Sequence, residues 1–215
     1  PDRFESHILA LEYLGELGIS ENACKLGTII KEAYLQHSNL ADATSYLVNA
    51  LFSEYGLVVL DADDKRLKAQ FAPIAERDIF EQNSFREITK STADLNKAGF
   101  RTQVNAREIN FFYLKDHLRE RITFENNAYY VLNSYIRFTP AELREEICTH
   151  PGRFSPNVVL RPLYQELILP NLAYIGGGSE VVYWLQLKQN FDFYGIDFPI
   201  LVLRNSALLA DENLE

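Results

Sequence analysis

Leu172-Ala-Tyr-Ile-Gly-Gly-Gly-Ser-Glu180-Val-Val-Tyr-Trp-Leu-Gln-Leu-Lys188 is the stretch whose reading decides the fold. Leu172 to Ile175 is a short apolar run, suited to a strand buried on both faces as parallel strands are. Gly176, Gly177 and Gly178 let the backbone turn sharply and leave its amides uncovered by side chains. A helix expected over 179–188 then points its first free N–H groups at the same spot. Strand, glycine turn and helix make up an anion or phosphate cradle at the carboxyl end of a strand. A second apolar run, Phe198 to Leu203, follows and supplies another strand, expected over 199–203.

Outward from this core, the pattern predicts helices through residues 1–56. Gly18 and Ser20 mark one helix ending and another being capped, and Gly56 stands where a cap glycine belongs. Leu57 to Leu60 reads as a buried strand. Asp63 or Asp64 caps a helix with Leu67, Phe71 and Ile74 on its inner face, which Pro73 is expected to weaken or split. The pattern changes over 99–138, where nine residues are Phe or Tyr. Strands are expected at 100–104, 109–114, 121–124 and 128–132, forming an antiparallel meander inserted into the core. Helices at 140–147 and from Pro162 lead back to the glycine turn. The expectation is an α/β fold: a partial Rossmann-like parallel sheet, a helical N-terminal lead-in and a small antiparallel β insertion. The divisions are 1–56, 57–98 for the first part of the core, 99–138, and 139–215 for its second part.

Composition narrows the function. A net charge of −9 opposes general nucleic-acid binding, which needs a basic field. No run approaches the length of a membrane helix. Cys24 and Cys148 show no pairing pattern, and the expected location is cytoplasmic. Cys148 and His150 stand close, but without a third ligand no metal site is expected. The glycine turn matches neither G-x-G-x-x-G nor the P-loop, so no dinucleotide or Mg-nucleotide follows from it. With no methionine and a proline first, the chain reads as an internal piece of a longer protein.

Each candidate site residue has a structural reading beside the functional one. The glycine turn with Glu180 holds an anion, or is a tight strand-to-helix connection. Arg161 and Arg204 are forks for a carboxylate or phosphate, or ion-pair partners. Asn157, Tyr164 and Gln165 suit sugar hydroxyls, or are buried turn residues. Asp61, Asp63 and Asp64 follow an expected strand, or cap and solvate. Tyr183 and Trp184 read as core.

Three segments in order, Asn157 to Glu166 (N-V-V-L-R-P-L-Y-Q-E), Ala173 to Glu180 and Tyr183 to Lys188, resemble the BshC family of bacillithiol-biosynthesis cysteine-adding enzymes. Weaker agreement runs through Tyr55 to Asp61 and Gln103 to Phe112. The resemblance implies a carbon–nitrogen ligase that adds cysteine to glucosaminyl-malate. It also implies a preceding half and a following coiled coil in the same chain, and a full-length protein able to form a homodimer. In this setting Asn157, Arg161, Gln165, Gly176, Gly177, Gly178 and Arg204 are expected to bind substrate, and Glu180 to act in catalysis. Use of a nucleoside triphosphate is left open, and the piece alone is expected not to turn over. The competing class is a non-catalytic α/β module holding a phosphate or carboxylate at the glycine turn.

Overall fold

The computed structural model describes residues 3–16, 18 and 20–207, with the side chains of residues 3–7 left aside. The chain divides into two compact units, residues 1–62 and 63–215.

Among its described residues the first unit is helical: α1 (Arg3–Glu16), α2 (Glu21–Gln36) and α3 (Leu40–Phe52), followed by a 3-10 turn at Ser53–Tyr55. Ser20 caps α2 by accepting from the Ala23 N–H at 3.1 Å, as its position after Gly18 implies. Gly56 closes the last turn at φ +78°, a conformation that favours glycine. The strand expected at Leu57–Leu60 does not form. These residues join no ladder, and Leu57, Val58 and Leu60 stay exposed. A β-branched apolar run becomes a strand only when a neighbour takes its N–H and C=O groups, and the described part of this unit offers helices alone.

The second unit opens with α4 (Lys65–Glu81) and α5 (Asn83–Lys97). Asp64 caps α4 by accepting from Arg66 N at 2.7 Å, and Asp63 pairs with the buried Lys68. α4 continues through Pro73 rather than splitting there. Phe71, Ala75 and Ile79 on one face are almost wholly buried, and that packing outweighs the lost backbone bond.

The aromatic block folds as an antiparallel sheet, but its membership differs from the expected meander. The strands are β1 (Phe111–Lys115), β2 (Leu118–Glu125), β3 (Ala128–Val131), β4 (Arg137–Phe138) and, after α6 (Pro140–Thr149), β5 (Phe154–Pro156). Their order is β4-β3-β2-β1-β5. Phe100–Val104, expected as a strand, is not one. The buried side chain of a distant glutamine, Gln186, satisfies this backbone instead: its Oε1 accepts from Gln103 N and Val104 N, and its Nε2 donates to Val104 O at 2.6 Å. On β1, Phe111 and Tyr113 face the core with Ile122, Tyr129, Leu143, Ile147 and Phe154.

The chain then runs through α7 (Arg161–Ile168), β6 (Ala173–Gly176), α8 (Gly178–Tyr194) and β7 (Ile200–Leu203). β6 and β7 pair in parallel, from Ala173↔Ile200 to Gly176↔Leu203. This is the parallel element of an α/β fold. Tyr174 and Leu201 pack on the core, and Trp184, Leu187 and Phe191 of α8 are fully buried beneath them. The opposite face carries Ile175 and Ile200 in the open, at 66% and 70% exposure.

Candidate functional site

The two parallel strands end side by side. The Arg204 N–H donates to Gly176 O at 2.9 Å, so the first residue after β7 is fastened to the last residue of β6. The carboxyl ends of parallel strands are where open α/β sheets place ligand groups.

Space, not backbone conformation, explains the glycines here. None of the three has a positive φ; Gly177 lies at φ −69° and ψ 169°. A Cβ on Gly176 would come within 2.7 Å of the Tyr174 ring and 3.1 Å of Glu180 Cβ. A Cβ on Gly177 would stand 3.2 Å from an Arg204 guanidinium nitrogen, whereas one on Gly178 would meet nothing within 4 Å. Two of the three glycines therefore let Tyr174, Glu180 and Arg204 close around the turn.

Glu180 completes the turn. Its Oε2 accepts the Gly177 N–H at 2.6 Å, capping α8 from the third helical position, and lies 3.8 Å from the Arg204 guanidinium. A carboxylate thus already sits at the helix N-terminus, with an arginine beside it. Both side chains are about half exposed, so the ion pair itself contributes little stability.

Arg161 begins α7, and its guanidinium donates to Gln165 Oε1 at 2.9 Å. Gln165 Nε2 donates in turn to Glu166 at 3.1 Å. Tyr183, on the second turn of α8, donates its hydroxyl to Val158 O just ahead of α7. Burial pushes the Tyr183 hydroxyl pKa up, and the neighbouring Arg161 guanidinium pulls it the other way. The start of α7 and the start of α8 are therefore adjacent. Arg204 meets the turn directly, whereas Arg161 is engaged by Gln165 and lies beside Tyr183.

Asn157 is occupied elsewhere. Its Nδ2 donates to Asn110 at 3.1 Å and its Oδ1 accepts from Val159 N at 2.9 Å, so its side chain sets the turn into α7. Tyr164 is buried among core aromatics, 5.1 Å from the Phe71 ring. Trp184 is likewise core. Glu166, not singled out from the sequence, is buried and accepts from Asn171 N at 2.7 Å and Asn171 Nδ2 at 2.9 Å. It fixes the entry into β6. A glutamate closing a motif gives no sign of that role until the loop it clamps is known. Among the described residues no cluster of His, Cys, Asp or Glu could hold a metal, and no helix is long and apolar enough to cross a membrane.

Residues 5–205 match the family described as "Bacillithiol biosynthesis BshC, N-terminal Rossmann-like domain". The chain belongs to the BshC family. It is 50% identical over 200 residues to a protein of Flavobacterium johnsoniae, covering 93% of this chain and 37% of that protein. It is 51% identical over 203 residues to one of Flavobacterium psychrophilum, covering 94% and 38%. A protein of Staphylococcus carnosus matches at 27% identity over 206 residues, covering 95% and 38%. All three are provisionally named cysteine ligase BshC. The chain spans somewhat over a third of the length of these relatives. All three segments that carry the sequence resemblance fall inside the matched range.

Proposed function

We propose that the intact BshC protein joins the carboxyl of cysteine to the amine of glucosaminyl-malate as an amide, and that the carboxyl ends of β6 and β7 hold part of its substrate site. The observation that carries this is Arg204, fastened at the end of β7 against the Gly177 turn at the end of β6. It supplies a fork for a carboxylate, and the turn supplies a helix N-terminus. Amide formation makes a C–N bond, breaks the bond to the leaving group on the activated carboxyl, and removes a proton from the attacking amine. Glu180 is assigned to hold that amine or take its proton, on giving up its bond to the Gly177 N–H. Arg204 is assigned to meet negative charge on the carboxyl oxygen. Arg161 and its partner Gln165 are assigned to the malate end of the substrate.

The bond from Gly177 to Glu180 favours a second reading. A carboxylate is already accommodated at the turn, so a non-catalytic module could exchange Glu180 for a ligand's carboxylate or phosphate. Mass spectrometry on the intact protein given cysteine and glucosaminyl-malate, with and without ATP, separates the two. Formation of the amide, with Arg204→Lys raising KM about tenfold through loss of the fork, is the expected result. Binding without any amide favours the module. Arg204→Lys and Glu180→Gln both at wild-type rates would place the chemistry elsewhere.

A further inference from the structure

A second candidate site lies in the antiparallel sheet. On its β3 side, β2 is paired through Glu125↔Ala128, but on its β1 side pairing stops at Phe112↔Arg121. Residues 122–125 therefore have a neighbouring strand on one side only, and a cavity of about 390 Å³ opens there. Its volume is at the small end of the range for ligand pockets. The chain ahead of β1 is turned aside by Asn110, which is fully buried. Asn110 Oδ1 accepts from Arg107 N at 3.0 Å and its Nδ2 donates to Arg107 O at 2.6 Å. Asn157 holds Asn110 in place through its backbone N–H as well as its side chain. Both main-chain polar groups of Arg107 are thus fixed at the rim of the cavity.

Four charged side chains line it: Arg107 and Glu108 from the loop, Arg121 and Glu125 from β2. Among the described residues none of the four makes a side-chain hydrogen bond or ion pair, although both signs are present. The walls between them are apolar, with Phe85 and Phe124 among them. A simple anion would be opposed by the two carboxylates and a simple cation by the two guanidiniums. A molecule carrying one charge of each sign satisfies both sets, and the aromatic walls take an apolar body.

We infer that this notch binds a small zwitterion of the α-amino-acid class with an apolar side chain. An arginine fork engages its carboxylate and a glutamate its ammonium. The site stands apart from the glycine turn and does not depend on the reading given to that turn.

The test is calorimetric titration of the intact protein with L-leucine, against 4-methylpentanoate, which lacks the amine, and 3-methylbutylamine, which lacks the carboxylate. L-leucine is expected to bind at least about tenfold more tightly than either analogue. Arg121→Gln and Glu125→Gln, each checked by its unliganded melting temperature, are expected to weaken L-leucine about tenfold or more, and Arg121→Lys to weaken it through loss of the fork. Glu125→Gln is the variant least exposed to misfolding, since Glu125 lies at the exposed end of β2. Equal binding of all three compounds, no L-leucine binding at millimolar concentration, or binding unchanged in both Gln variants would overturn the assignment.

Discussion

At the residue scale, the glycine turn separates two uses of glycine that a sequence cannot tell apart. None of Gly176, Gly177 and Gly178 has the positive φ that marks Gly56 and Gly195, so their value lies in what stands next to them. Gly176 is hemmed in by Tyr174 and Glu180, whereas Gly178 faces open space in the first turn of α8. Gly176→Ala should therefore destabilise the fold by about 1–3 kcal/mol through overpacking. Gly178→Ala should stabilise it by about 0.4–1 kcal/mol by restricting the unfolded chain. Denaturant melts of the two variants check this, and equal effects of the same sign would contradict it. The turn was legible as a strand-to-helix connection because three consecutive glycines between an apolar run and a helix allow few alternatives. That Glu180 occupies its amide was not legible, since a glutamate there serves an external ligand or the helix cap equally well.

At the element scale, α8 holds the second unit together with polar as well as apolar contacts. Gln186 is fully buried and joins three pieces: Thr92 of α5 at 2.8 Å, the Gln103–Val104 backbone, and α8 itself. Gln186→Leu keeps the volume but leaves those backbone groups without partners, at a cost of about 2 kcal/mol. Amide exchange at Gln103 and Val104 should rise with it, and protection unchanged from wild type would show that the loop is held by other means. The same glutamine explains the strand expected over 100–104. The residues have strand composition, but a side chain more than eighty positions away in sequence replaces the neighbouring strand. The missing strand at 57–60 teaches the complementary lesson, because composition gives the tendency to extend but not the presence of a partner. Strands β1, β2 and β3 were readable from short aromatic and β-branched runs with polar turns between. β5 was not, since three residues after a helix carry too short a pattern and their pairing with β1 spans some forty positions. α5 carries its own signal, since Phe85, Ile88 and Leu95 followed by Gly99 supply a helical stripe and a stop.

At the scale of the whole molecule, the α/β class and the family followed from three segments read in order, and the family match covers nearly the whole chain. The parallel pair β6–β7 presents one face to the core and leaves Ile175 and Ile200 exposed on the other, whereas parallel sheets are ordinarily covered on both faces. The functional account places substrate at the carboxyl ends of this pair, where Arg204, Gly177 and Glu180 meet. Of the residues expected to form the site, Gly176, Gly177, Arg204 and the expected catalytic Glu180 come together directly, Gly178 faces open space, and Arg161 pairs with Gln165 on α7. Asn157 serves the turn before α7, because a hydrogen-bonding side chain looks the same in sequence whether it meets a ligand or its own backbone. The most direct measurement is amide hydrogen exchange on the intact protein with and without glucosaminyl-malate. The account predicts added protection in the peptides covering residues 173–181 and 200–206. Protection confined to other segments, with those two unchanged, would contradict it.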